Sequence, residues 1–482
     1  MSPDGEDPTT MQNTPPVEAA LGRLVAGLEF DAIPADALAG ARRLMQDQLA
    51  LQVGCEALPW SRAVVELGRA RHAPGSARVV VTGDAMSPAD AAFVNATLGH
   101  SFEYDDAHRA SSSHPGSCVV STALAIGEQD GLTLRDVLLG VVAGYEAYTR
   151  IGVLAAPDLL ETGYHPHAML SPFGAAAVVA RMRGFDVERT THALAIAMSH
   201  CGGTTEYTSS GGSVKRLHAG IGTRGGVQAA EMAEAGITGP TSYLTGSKGF
   251  FGTFLRRDPG PDAAEAFSPD RPFEVGRVWI KPYCCCGCCH AYVDGARELA
   301  APADKITGVE LAIQAGADVV VGNRNANSYA PQNIVNLQYS LPFQVAFALT
   351  GHGNGFSTHF DYLEGRLKLT EDGDGAEVAQ LAQRVRITPN PELDAGYPGK
   401  WVGDITVTYA DGTSAHRFVE DSSGTVENPI SRTDLDAKFR DLTVGRLGAA
   451  GGEELLRTIT DGDLDMPASA LADQLIVRTS VA

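Results

Sequence analysis

The chain has 482 residues, enough to bury a large core and past the size at which one core usually divides, so two domains are expected. A net charge of −21, with 20% charged and 44% hydrophobic residues, argues against nucleic acid and anionic membranes as partners, since both call for basic patches. A small anionic substrate stays open, because the local field of a pocket can oppose the overall sign. No apolar run is read as reaching the roughly 20 residues of a membrane span. The polar, acid-bearing residues 1–14 read as a disordered tail and not as a signal peptide. A cytoplasmic location follows, with the eight cysteines as reduced thiols.

From residue 15 to about residue 270 the apolar spacing predicts helix after helix. Segments 17–28, 35–53, 61–71, 90–98, 119–128, 133–152, 174–183, 186–199 and 215–236 carry the pattern, with a short β-branched stretch at 77–82. Gly236 and Gly239-Pro240 stop the last of them. Beyond Asp258-Pro259-Gly260-Pro261 the character changes. Segments 307–322, 385–389, 403–409 and 415–418 read as strands, and Asp411-Gly412 marks a hairpin turn. Segment 340–349 reads as a helix. The expected organisation is a mainly α protein with a smaller α+β domain: helical over 15–270, α+β over 271–426, and a segment 427–482 that returns to the helical domain, with helices at 433–442 and 453–459.

Between two helical segments lies the stretch His100 to Ser117. It places three acids (Glu103, Asp105, Asp106) and three histidines (His100, His108, His114) within eighteen residues. Carboxylates and imidazoles held together are the raw material of proton transfer, and histidine is the side chain whose ordinary pKa lies near neutrality. His114-Pro115-Gly116-Ser117 closes the stretch at a helix start, where backbone N–H groups favour an anion. A solvated surface turn is the bland alternative.

Removing a proton beside a carboxylate or carbonyl takes a base, and cations or donors to hold the developing charge. Lys215 and His218, three apart, fit one face of a helix start, with Gly211-Gly212 before them leaving room for a ligand. Lys281 follows the apolar Val278-Trp279-Ile280 and precedes Pro282, which points to rigid placement at the domain junction. Glu146 and Arg150, four apart, read as a structural ion pair. The run Cys284-Cys285-Cys286-Gly287-Cys288-Cys289 followed by His290 offers metal-ligand types, but adjacent cysteines converge poorly on one tetrahedral ion and no second pair exists elsewhere, so no metal is expected. No glycine-rich phosphate loop follows a strand and no His-Glu-x-x-His is present.

Several motifs together resemble the MmgE/PrpD family: Phe102-Glu103-Tyr104-Asp105-Asp106 with His114-Pro115-Gly116-Ser117; Gly144-Tyr145-Glu146 with Arg150; Gly163-Tyr164-His165-Pro166 leading to Phe173-Gly174-Ala175-Ala176; Lys215-Arg216-Leu217-His218-Ala219-Gly220; Gly236-Ile237-Thr238-Gly239-Pro240; and Lys281-Pro282-Tyr283 with Cys286 and His290. The resemblance runs from the first helices to at least residue 350. That family includes 2-methylcitrate dehydratases, cis-aconitate decarboxylases and iminodisuccinate epimerases. It implies a large helical domain with an α+β lid, an active site between them, a homodimer and no cofactor. His165 matches the family's catalytic histidine and His114 a second active-site histidine. The catalytic set is then His165, His114, Lys215, Lys281 and Asp105, with His218, Glu103, Asp106, His108 and Tyr164 as substrate-binding residues. Asp105 and Asp106 serve equally well as braces of the loop.

Three departures stand out: Glu103 where the family usually has Asp, Ala107 where Thr or Ser usually follows the two aspartates, and a loop to His114 one residue longer than in the decarboxylases. The loss of a hydroxyl at Ala107 points away from tricarboxylate substrates. The expected activity is a cofactor-independent dehydratase (hydro-lyase) acting on a small carboxylate or carbonyl compound. An isomerase or epimerase using the same proton abstraction is the close alternative and a decarboxylase the third. A non-catalytic scaffold would have lost the basic residues, yet Lys215, His218, Lys281, His165 and His114 are all present.

Overall fold

The computed structural model describes residues 16–207, 211–397 and 399–477; the tail expected over residues 1–14 lies outside the described residues. The chain divides into two compact units, one running to Val278 and resuming at Leu442, the other from Trp279 to Asp441. The chain returns to the first unit at Leu442 and not at residue 427. The intervening stretch belongs with the second unit because Lys438, 5% exposed, donates from Nζ to the Lys281 carbonyl at 2.9 Å, and Phe439 is buried.

The first unit is helical: α1 (Pro16–Ala26), α2 (Ala35–Gly54), α3 (Pro59–Arg71), α4 (Pro88–Gly99), α5 (Gly116–Gln129), α6 (Leu134–Ala155), the single turn α7 (Asp158–Glu161), α8 (Pro166–Met182), α9 (Val187–Ala197) and α10 (Val214–Glu234). Side-chain caps set several starts. Ser87 accepts from the Asp90 N–H, Thr133 and Asp136 form a capping box, and Asp186 accepts from the Arg189 N–H. Two short strands, β1 (Ala77–Arg78) and β2 (Ala85–Met86), pair antiparallel where the β-branched stretch was read.

Helix α8 begins eight residues before the expected Gly174, because Pro166 opens it at a position where proline suits the first turn and Pro172 sits inside it without ending it. Helix α6 corrects another expectation: its 22 residues contain an 18-residue stretch with a mean hydropathy of 1.3, long and apolar enough to cross a membrane, but 89% of that stretch is buried inside the protein. It is the core helix of this unit. Helix α10 lies close on α4 and α8 through glycines; a side chain on Gly220 would collide with the Phe93 carbonyl, and one on Gly226 with the Pro172 carbonyl.

The second unit holds a four-stranded sheet in the order β4 (Val385–Pro389), β3 (Ile306–Ile313), β5 (Gly403–Tyr409), β6 (Ser414–Val419). Val309 pairs with Val385 in the parallel ladder and with Val407 in the antiparallel one. The strand expected over 307–322 ends at Ile313. Gln314 is tied by its side chain to the Leu393 and Lys400 carbonyls, Asp394 caps the Ala315 N–H at 2.8 Å, and 315–321 turn into a helix. Helices α11 (His290–Glu298), α12 (Ala315–Val321), α13 (Ile334–Gln338), α14 (Leu341–Thr350), α15 (Phe356–Leu363) and α16 (Ala376–Ala382) complete the unit. Helix α17 (Arg432–Asp461) is interrupted at Gly448, with φ 70° and ψ 165°, and α18 (Ala468–Gln474) ends the described chain.

Candidate active site

The stretch His100–Ser117 is folded inward and almost wholly buried. His100 caps the C-terminus of α4, and its Nδ1 lies 2.6 Å from Asp105 Oδ2, both side chains being 1–2% exposed. His114 donates from Nδ1 to the Asp106 carbonyl at 2.6 Å and stands 4.0 Å from Asp105 Oδ2. That bond fixes Nδ1 as a protonated nitrogen and places its remaining acid–base chemistry at Nε2. The N-terminus of α5 meets a carboxyl group of the chain itself: the Gly116 N–H donates to both Asp106 carboxyl oxygens at 3.1 and 3.2 Å. Tyr145 OH donates to the same group at 2.8 Å. Burial, reinforced by Asp105, pushes the Asp106 pKa up to about 8. Asp106 therefore braces the loop against α5 and α6.

His165 stands at the N-cap of α8 and His218 in the second turn of α10; their Nδ1 atoms are 2.9 Å apart. Burial and the surrounding histidines hold His165 well below the ordinary histidine range, and burial with the charges of His100 and Lys215 brings His218 to about 4. Both rings are neutral near pH 7. Two neutral imidazoles joined through Nδ1 must differ: one donates and the other accepts. The donor's Nε2 is then a lone pair and the acceptor's Nε2 carries a proton, so the pair presents a base and an acid together. Gly203, with φ 134°, lies against the His218 ring, where a side chain would stand 3.0 Å from Nε2.

His167 completes the cluster. Its ring centre is 4.5 Å from that of His100, 6.0 Å from His165 and 6.3 Å from His114. Its nitrogens are occupied by Tyr148 OH at 2.7 Å and Ser117 Oγ at 3.1 Å. Sequence reasoning did not single out His167, Tyr148 or Tyr207, and named His100 and Ser117 only as part of the loop. The one available signal was His165-Pro166-His167, two imidazoles at the mouth of a proline-started helix.

Lys215, in the first turn of α10, forms a buried ion pair with Glu103 and stands 5.9 Å over the Tyr207 ring. His108 turns away from substrate chemistry: it bonds Ser111 Oγ at 2.8 Å and Glu274 Oε2 at 3.1 Å, fastening the loop to residues just before the unit boundary. Tyr164 sets its ring edge-on to Phe254 at 5.6 Å. Arg150 bonds Glu146 at 2.7 Å and the Ala266 and Ser268 carbonyls, a structural tie. Thus His165, His218, His114, Asp105 and Lys215 come together in the first unit, while Asp106, His108 and Tyr164 hold structural places.

Lys281 belongs to the second unit, where it is 2% exposed. His290 nearby is held at about 3 by burial and by the Lys281 charge. All eight cysteines are free thiols, and among the described residues no group of three or more His, Cys, Asp or Glu side chains is arranged to hold a metal ion.

The MmgE/PrpD N-terminal domain matches residues 19–261 and the MmgE/PrpD C-terminal domain residues 283–461. A cis-aconitate decarboxylase from Aspergillus terreus is 27% identical over 467 residues, covering 90% of each chain. The cis-aconitate decarboxylases of Mus musculus and Homo sapiens are each 24% identical, covering 74% of this chain and 72% of their own. With both family domains matched over most of its length, this chain belongs to the MmgE/PrpD family.

Proposed function

We propose that the chain is a lyase that acts on a small carboxylate-bearing substrate by moving a proton from carbon, with dehydration as the first reading. The coarse class, a lyase-type enzyme, is supported by the family and by relatives that are decarboxylases. The Nδ1–Nδ1 contact of His165 and His218 carries the finer reading. With His165 protonated on Nδ1, its Nε2 takes the proton from substrate carbon. His165 then passes its Nδ1 proton to His218, and His218 releases its Nε2 proton to the departing hydroxyl. The C–H and C–O bonds break, the C–H electron pair becomes the new double bond, and water leaves. Both rings end neutral with exchanged tautomers. His114, oriented by the Asp106 carbonyl and beside Asp105, is the second group able to supply the proton to the hydroxyl. Lys281 is proposed to hold the developing charge on the strength of the resemblance alone.

Decarboxylation is the second reading, favoured by the names of the relatives. There the same pair would deliver a proton to the carbon that loses carbon dioxide. An isomerase would return the proton to carbon. The purified protein, incubated in deuterated water with hydroxylated mono- and dicarboxylates and followed by NMR and mass spectrometry, separates the three. A product lighter by one water is expected. Loss of carbon dioxide would select the second reading, and an unchanged formula apart from deuterium would select the isomerase. If no carboxylate of this panel gains deuterium or loses water or carbon dioxide, the reading falls. A homodimer, proposed on the same resemblance, is tested by light scattering for twice the chain mass.

A further inference from the structure

The run Cys284–Cys289 is a motif that the histidine chemistry leaves unused. In the second unit it makes a tight bend: Cys286 precedes the single 3₁₀ turn Gly287–Cys289, and the Cys289 N–H donates to the Cys286 carbonyl at 2.9 Å. A side chain on Gly287 would collide with the Trp401 and Trp279 rings. The glycine thus seats the turn on two indoles, and Cys286 and Cys288 stand on either side of it.

Exposure and pairing sort the thiols. Among the described residues Cys201 and Cys286 are the two cysteines that are not buried. Cys201 donates its thiol to the Met169 carbonyl at 3.1 Å. Cys286 meets a second thiol instead: its side chain is hydrogen-bonded to that of Cys288, which is 7% exposed. Cys285 and Cys289 face each other in the same way, but both are fully buried, and Cys284 accepts from Gln338 Nε2 at 3.4 Å. Two residues apart, the Cα atoms of Cys286 and Cys288 are separated by at most about 7 Å even in an extended chain, and the 3₁₀ conformation of Gly287 shortens that into the range a disulfide spans, roughly 4.4–6.8 Å.

The surroundings suit oxidation. Lys281 and Lys438 are both buried, and after burial itself their charges push the His290 pKa down, so the field at the end of the run is positive. That is the setting in which a thiol yields its proton and becomes a nucleophile. The Cys286 thiol, and then burial, hold the Cys288 pKa well above its ordinary value, so Cys288 keeps its proton.

We propose that Cys286 and Cys288 form a redox modification site, a dithiol that hydrogen peroxide closes to a reversible disulfide, with Cys286 reacting first and Cys288 resolving it. The Cys286 sulfur attacks the peroxide, the O–O bond breaks, and one water leaves with the proton that Cys286 gave up. The sulfenic acid so formed is displaced by the Cys288 sulfur, whose own proton goes to the departing hydroxyl as a second water. Two thiols lose two electrons and two protons, and peroxide is reduced to two waters. The buried thiols Cys284, Cys285 and Cys289 stay reduced.

The test takes the reduced full-length protein, treats it with about a tenfold molar excess of hydrogen peroxide, denatures it in acid, labels the remaining thiols with N-ethylmaleimide and digests it with trypsin. The peptide of residues 278–297 should be lighter than its fully labelled form by two maleimide groups and two hydrogens. Fragmentation should place the labels on Cys284, Cys285 and Cys289, and dithiothreitol before labelling should restore the labels on Cys286 and Cys288. Cys288→Ser should lose the disulfide and leave a sulfenic acid at Cys286 that dimedone traps. Cys286→Ser should lose both products, whereas Cys285→Ser should close at a rate within about threefold of wild type. Because fragmentation assigns the pair in the wild-type chain, the proposal is decided even where a variant fails to fold. A peptide that keeps all its labels after peroxide would overturn it. So would a disulfide between Cys285 and Cys289, one that joins two chains, closure that survives Cys288→Ser, or oxidation of Cys201 ahead of Cys286.

Discussion

His165 and His218 can act on a substrate only while both are neutral, because a proton added to the accepting ring removes the Nδ1 lone pair that takes its partner's proton, and one added to the donating ring removes the Nε2 lone pair that serves as the base. With His218 at about 4 and His165 held well below the ordinary histidine range by burial, kcat/KM should be flat across neutral pH. It should fall only as the pH drops through about 4; an acid limb centred near 6.5 would show an ordinary, solvated histidine and refute the arrangement. His165→Ala should slow the reaction by roughly 10²- to 10⁴-fold, the usual worth of a positioned base. His218→Ala should cost a comparable factor, and the double variant little more than either, since the two rings act as one unit. Additive losses would separate them. Asp106 gives a prediction on stability. Its folded pKa of about 8 lies above its ordinary 3.8, so the folded state holds this proton more tightly than the unfolded chain. The resulting stabilisation is complete below pH 3.8 and is lost as the pH rises through about 8. Asp106→Asn has no proton to lose, so melting temperatures of the wild type should fall relative to the variant between pH 5 and 9. Parallel curves would mean that Asp106 is ionised in the fold.

Helices α8 and α10 position the two histidines, and their close approach depends on missing side chains. Gly222 and Gly226 face Pro172, and Gly226 has no room for a Cβ against the Pro172 carbonyl. Gly226→Ala should therefore destabilise the protein by about 1–3 kcal/mol, the usual cost of overpacking, despite alanine's better helix propensity. A variant melting at or above the wild-type temperature would show that the helices can separate without cost. These elements also show what a sequence makes legible. The apolar spacing of 215–236 located α10 nearly to its ends, because one face is buried along its length. The start of α8 was missed because Pro172 reads locally as a stop, and only the packing of α10 against it explains why the helix runs through. The C-terminal end of β3 failed for a related reason: the β-branched run 319–321 favours strand, and Asp394, which caps the helix there at the Ala315 N–H, lies 79 residues further along the chain. The acidic loop was legible as a candidate site through its residue types. The His165–His218 contact was not, since 53 residues separate its partners and nothing local marks a pairing of nitrogens.

At the scale of the whole molecule, the change from helical to mixed periodicity near residue 270 falls eight residues before Val278, where the first unit breaks off. The return was legible only as the resumption of helical spacing, because the residues that keep 427–441 with the second unit act through single contacts such as that of Lys438 with the Lys281 carbonyl. The second unit is one continuous piece of chain, Trp279–Asp441, whereas the first is assembled from two. It has its own sheet, with Ile306, Val309 and Leu311 of β3 and Ile405 and Val407 of β5 fully buried, and in α14 Val345 and Phe347 are fully buried as well. Some of its buried polar groups meet one another: Asn354 Nδ2 donates to Gln344 Oε1 at 2.9 Å, and Gln344 Nε2 bonds His359 Nε2 at 3.0 Å. A continuous chain with its own buried core meets the main physical condition for autonomous folding. Residues 279–441 expressed alone, in reductant to keep the five clustered thiols from oxidising, should therefore give a dispersed amide NMR spectrum and a cooperative thermal transition. A collapsed spectrum with a gradual melt would show instead that the second unit depends on the rest of the chain for its structure.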